Sequence, residues 1–230
     1  MTGQMKKYRD SLEKTPEPVL LSQIQTKMDL RGLMHYAKEK GKKVMELSEK
    51  EKKDRIQLAH KFEDAFLLLF AMAVQEDENA DSCYQYIDDK YCQIATKYMD
   101  IKETPAYITE YAARATKSIV DTTLNNIDSE YYLSEDRAML LAANEANSVG
   151  NYREQVEMVK QGYRFKTWCT MKDGRVRHTH IRLDEQKIGI FEHFDVGKTQ
   201  MMFPRDTSLG ADAFPEEIIN CRCSLRYTKD

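Results

Sequence analysis

The chain keeps one hydrophobic rhythm for most of its length and then abandons it. Apolar residues recur at Leu30, Leu33, Met34 and Ala37, then at Ile56, Ala59, Phe62, Ala65, Phe66, Leu69 and Phe70, and again at Ala138, Leu141, Ala142, Val149, Tyr152, Val156 and Val159. Spacings of three and four put such residues on one face of a helix. The pattern predicts an N-terminal arm that turns helical over 20–28, then a helical hairpin over 28–58. Asp29 caps the first hairpin helix and Gly41 ends it; Ser48 and Glu51 form a capping box for the second. One long helix is predicted over 54–75, an acidic break over 76–81, and helices over 84–98 and 104–125, the last with Pro105 in its first turn. Residues 126–129 read as a loop, and a final helix runs from a cap at Ser134 to Gly162. Alanine and asparagine are dense from Ala142 to Asn147, which allows a neighbouring backbone to come close.

After Gly162 the period becomes two. Tyr163, Phe165 and Thr167 fall on one face of a predicted strand over 163–170, and Lys172-Asp173-Gly174 is a turn signal. Brief strands are predicted over 187–190, 191–194, 200–203 and 223–227, punctuated by Pro204, Gly210 and Pro215. The fold class is therefore α+β: a helical N-terminal region followed by a small α+β C-terminal domain with short strands. Three segments are expected: an arm and hairpin over 1–60, a helical region over 61–133, and the specialised domain over 134–230.

Charge is uneven beneath a net −3. Residues 1–60 carry 14 Lys/Arg against 9 Asp/Glu (+5), residues 61–159 carry 8 against 19 (−11), and residues 160–230 carry 13 against 10 (+3). The acidic middle repels nucleic acid, so any phosphate contact belongs at the ends. The longest apolar run, Ala65 to Val74, is half the roughly 20 residues that span a bilayer, so no membrane partner is expected. No signal-peptide pattern opens the chain, and 5 cysteines argue for free thiols or a metal over a disulfide framework. Cys83 and Cys92 read as packing residues, as does His35.

Candidate chemistry gathers at the two ends of residues 165–227. His178-x-His180 with Cys221-x-Cys223 offers the four ligand types that zinc favours, though pairs one residue apart depart from its usual spacing and Arg222 lies between the cysteines. The plain alternative has the cysteines turned inward and one histidine bonded to a carboxylate, with no cofactor. Trp168, Asp173, Arg175, Arg177, His180, Asn220 and Arg222 form a polar knot, with Asp173 free to pair with Arg175 or Arg222. The knot reads either as a staple or as the outline of a metal-independent nuclease. In the second case His180 would be the acid–base group, Arg175 and Arg177 phosphate clamps, and Glu145 a second acid–base group. Composition favours the staple. No phosphate loop, nucleophile elbow or His-Glu-x-x-His motif is present.

Residues 134–228 resemble the C-terminal domain of the phage Mu F-like minor head proteins, the head morphogenesis family of tailed phages and prophages. The resemblance rests on Glu145, Gly162, Trp168, Asp173-Gly174-Arg175-Val176-Arg177-His178-Thr179-His180, Leu183-Asp184-Glu185-Gln186, Phe203-Pro204-Arg205-Asp206 and Asn220-Cys221-Arg222-Cys223. It departs at Ala143-Asn144, where the family has Arg-Thr, and at Glu185, where the family has glycine. The resemblance implies a minor capsid protein associated with the portal vertex, acting in procapsid assembly, DNA packaging or delivery. Its implied partners are portal or other capsid proteins; a contact of the basic ends with DNA, with the acidic middle facing protein, is a separate expectation drawn from the charge distribution. Its implied places are the host cytoplasm during assembly and then the virion head interior or portal vertex. Two other readings stay open: a toxin-like nuclease of small ribonuclease type, and a zinc-binding interaction module.

Overall fold

The computed structural model describes residues 49–75 and 80–230. The arm, most of the 28–58 hairpin, its Ser48 cap and His35 lie outside them. The described chain opens with α1 (Glu49–Ala73), in which the second hairpin helix and the long helix predicted over 54–75 are one continuous helix, followed by α2 (Ala80–Met99) and α3 (Ala106–Leu124), each within a few residues of its predicted span. A 3-10 turn over Glu130–Leu133 leads to α4 (Glu135–Lys160). Ser134 caps α4 as expected, its side chain accepting from Arg137 N at 3.2 Å. Gly162 leaves the helix at φ +74°, a conformation open to glycine.

These helices close on one apolar core. Phe62, Phe66, Leu69 and Phe70 of α1 meet Ile87 and Tyr91 of α2, Ile108 and Val120 of α3, and Ala138, Ala142 and Val149 of α4. Cys83 is buried in that core and Cys92 packs against it. Small residues on α4 let α1 lie close: a Cβ on Gly150 would fall 2.8 Å from Arg55 Nε.

Strand β1 (Phe165–Cys169) is the middle of a three-stranded antiparallel sheet, flanked by β2 (Lys187–Gly189) and β5 (Ser224–Thr228). A separate hairpin pairs β3 (Phe194–Val196) with β4 (Thr199–Met201). Lys166, Thr167, Trp168 and Cys169 are all buried, so β1 is covered on both faces, and the alternation in the sequence does not mark an exposed side. Of the strand expected over 191–194 only Phe194 is in a strand, as the first residue of β3, and residues 191–193 form a turn. Glu192 accepts from Gly189 N at 2.6 Å and donates its own N–H back to Gly189 O, which closes the loop before β3 begins. One-turn helices α5 (His178–Ile181) and α6 (Pro215–Ile218) complete the module.

Trp168, Leu183, Phe194, Val196, Met201, Phe203 and Leu225 form a second, smaller core. Tyr107 and Tyr152 pack against both cores and stack on each other at 4.5 Å. The long helix α4 is the common wall.

Candidate functional site

The face of α4 that leaves the helical core is polar, and its residues reach the loops of the C-terminal module. Asn147, Asn151 and Gln155 succeed one another by one helical turn. Asn147 Nδ2 donates to Cys221 O at 3.0 Å, Asn151 Nδ2 to Pro204 O at 3.1 Å and to Cys223 O at 3.3 Å, and Gln155 to Ile190 O at 3.0 Å. The amide oxygens of both asparagines accept from Arg55 of α1, at 2.9 and 3.1 Å. Each asparagine thus relays a hydrogen bond from the helical layer to the backbone around Cys221-x-Cys223.

Arg205 is the second tie. It sits at φ +70°, is buried, and donates to Ser148 Oγ at 2.6 Å, Ile218 O at 2.8 Å, Glu145 Oε1 at 3.2 Å and Tyr111 OH at 3.5 Å. Glu145 also accepts from Tyr91 OH at 3.0 Å. Burial and the Glu145 carboxylate hold the Tyr91 phenol well above its usual range. Glu145 is therefore engaged by Arg205 and Tyr91, not by Arg175, Arg177 or His180, the other members of the nuclease outline.

Arg222 grips Asp173 with both guanidinium nitrogens, at 2.7 and 2.8 Å, while Arg175 stands 3.6 Å away. The Arg222 hydrogen bonds hold the Asp173 carboxyl below its ordinary value. Arg177 donates to Ile219 O. Asn220 adopts φ +57°, a conformation asparagine tolerates, and accepts from Asn144 Nδ2 at 3.0 Å. Asn144 is half of the pair by which the chain departs from the family pattern, and it also accepts from Arg205 at 3.3 Å.

Behind the knot lies a buried group. His180 is 1% exposed and Trp168 0%, the indole edge-on to the imidazole at 5.6 Å. His180 Nδ1 faces Cys221 Sγ at 3.6 Å and Cys223 Sγ at 3.4 Å. His180 Nε2 meets Glu217 Oε2 at 3.1 Å, and Thr179 Oγ1 donates to the same oxygen at 2.8 Å. The Cys223 thiol, donating to Cys221, holds Cys221 well below the ordinary thiol value; burial opposes this and His180 assists it. Cys223 is driven up in turn by that bond and by burial. Trp168 Nε1 is buried outside strict hydrogen-bond geometry, yet its N–H acts on Cys223 toward the thiolate.

Three of the four ligands expected for zinc are thus together: His180, Cys221 and Cys223 present donor atoms all within 4.8 Å of one another. His178, at the exposed start of α5, is not among them. A shallow depression over the group is bordered by Met171, Arg175, Val176, Arg177, Asn220 and Arg222. Glu217 and Asn151 carry no mark in the sequence, while Arg205 stands there only as part of a resemblance motif and Asn147 only as the end of an Ala/Asn-rich stretch. The only signal for Glu217 was its place after Pro215 in a would-be helix start.

A family model described as Phage Mu protein F like protein matches residues 90–226, more than half of the chain, and reaches back into α2. No curated protein and no solved structure matches the chain.

Proposed function

The chain belongs to the family of Phage Mu protein F like proteins, which are phage head morphogenesis proteins, and we propose that it is a minor structural component of a tailed-phage procapsid acting at the portal vertex. The observation that carries the structural reading is the internal pairing of the charged groups. Asp173 is taken by Arg222, Glu145 by Arg205, His180 by Glu217, and Arg177 by the Ile219 carbonyl. Groups tied in this way make a rigid module and offer little to a substrate. The −11 balance over 61–159 suits a protein-facing surface, and the +3 balance over 160–230 suits DNA.

Co-purification of the full chain with the portal protein of its own phage tests the assignment. Recovery of portal at a few copies of this chain per assembly is the expected result. Recovery of neither portal nor other capsid protein overturns it. The DNA contact is separate: duplex affinity should fall steeply with salt, and affinity indifferent to salt removes that part of the proposal.

A further inference from the structure

The charged and metal-ligating groups of the described residues include one cluster that head assembly does not account for. We propose that His180, Cys221 and Cys223 bind one zinc ion, His180 through Nδ1 and both cysteines as thiolates. Zinc–sulfur bonds of about 2.3 Å and zinc–nitrogen bonds of about 2.0–2.1 Å at tetrahedral angles place nitrogen and sulfur about 3.5 Å apart. The two separations here are 3.6 and 3.4 Å.

Nδ1 has a single lone pair, so only one of the two sulfurs, at 3.6 and 3.4 Å, can donate to it, the other thiol being left to its neighbouring sulfur. A cation between the three atoms satisfies all of them at once. The far side of the ring fits as well. Glu217 takes Nε2–H, which fixes the tautomer that leaves Nδ1 free, and carboxylate–imidazole–metal chains are the usual way to orient a histidine ligand. Gly197 makes room for this carboxylate: a Cβ there would stand 2.2 Å from Glu217 Oε1.

The nearby arginines do not oppose the ion. Arg222, between the two cysteines, is neutralised by its two-point pairing with Asp173, and Arg205 is paired with Glu145. Two thiolates against one divalent cation then leave the buried group without net charge, whereas two bare thiolates could not stay ionised together. Soft sulfur ligands with one imidazole select zinc among the common redox-silent divalent metals. Asn147 and Asn151 hold the backbone carbonyls of the two cysteines from α4, so the sulfurs are directed before any ion arrives. Three protein ligands leave one position for water from the depression bordered by Arg175 and Arg177.

The test is metal content of the full chain, purified under reducing conditions without chelator, together with cobalt titration of the chelator-stripped protein. About one zinc per chain is expected, and cobalt should give thiolate charge-transfer absorption in the near ultraviolet. Cys221→Ser, Cys223→Ser and His180→Ala should each lower zinc content at least about tenfold. Glu217→Gln should weaken zinc about 10–100-fold. His178→Ala and Cys169→Ser should keep the full equivalent. Wild-type protein with neither zinc nor a cobalt–thiolate band overturns the proposal, whether or not the cysteine variants fold. Loss of zinc in His178→Ala overturns the three-ligand set.

Discussion

The helical layer and the C-terminal module solve the same problem with opposite materials. The layer buries aromatic and aliphatic side chains against one another: Phe62, Phe66, Phe70, Leu69, Ile87 and Tyr91 are all at or below 1% exposure. The module has a small core and short strands, and its loops are held by buried polar side chains: Arg205, Asn147, Asn151, His180, Asp206 and Lys166. Apolar packing is nondirectional and tolerates any shape of about the right volume. Buried hydrogen bonds demand particular atoms, and each orphaned partner keeps its desolvation cost. The layer should therefore forgive conservative substitutions that the module does not.

The sharpest test is Arg205→Met. It leaves Glu145 charged and buried with only Tyr91 as a donor, and urea unfolding should show a loss of about 3–5 kcal/mol. Adding Glu145→Gln should recover more than about half, because no charge is then stranded. A loss below about 1 kcal/mol for the single variant would erase the contrast between the two regions.

Next in size is a pH effect on the seam between α1 and α4. Burial pushes Glu154 from 4.5 up to about 7, against the attraction of Arg55 at 3.1 Å and with Glu51 and Glu157 adding to the rise. A raised folded value means that the native state binds the extra proton. Its contribution is full below pH 4.5 and is lost as pH climbs through about 7. Relative to Glu154→Gln, the wild type should lose about 3 kcal/mol over that window. Lys166 runs the other way at higher pH. Burial lowers it from 10.5 to about 8, partly offset by Asp206 and Glu192, so stability recovers as pH rises through that second window.

Two glycines separate backbone strain from contact. Gly197 stands at φ +61° with Glu217 against it, and Gly162 at φ +74° with open space around it. Gly197→Ala should cost about 2 kcal/mol and displace Glu217 from His180, whereas Gly162→Ala carries the dihedral cost alone, about 1 kcal/mol. In the layer, Leu69→Met conserves volume and should cost less than about 1.5 kcal/mol, read from the urea midpoint at constant slope.

The same difference in materials governs what could be read from the sequence. Helical periodicity reports apolar faces, so α1 to α4 and their core were legible, as were the Ser134 cap and the exit at Gly162. The Mu F-like motifs pointed to the module and to most residues of the knot. Periodicity says nothing about which amide meets which carbonyl. Asn147 stood only in a stretch expected to let a neighbouring backbone come close and Asn151 had no reading, because the bonds they make depend on loops more than 50 residues further on. Glu217 was hidden for the same reason: nothing local ties a glutamate in a one-turn helix to a histidine 37 positions earlier. Short strands misled in turn, since the apolar ends of residues 191–194 suggested a strand where Glu192 folds the chain back.

The smallest effect bears on one position where this chain departs from its family. Glu185 adopts φ +65°, the region where glycine is at ease and other residues pay roughly 1 kcal/mol. Its turn carries weight: Glu185 N donates to Trp168 O at 2.8 Å, and the adjacent Asp184 accepts from both Thr170 N and Oγ1, closing the end of β1 beside the buried His180 group. Glycine would relieve the strain. It would also forfeit the ion pairs of Glu185 with Lys172 and Arg226, both at 2.8 Å, which are exposed and worth a few tenths of a kcal/mol each at ordinary salt. Glu185→Gly should thus change stability by less than about 1 kcal/mol. The sign should depend on ionic strength, because screening weakens only the ion pairs and tips the balance toward glycine. A variant equally destabilised at low and high salt would show that the side chain holds this turn through packing, and the module would then resemble the helical layer more closely than its polar seams suggest.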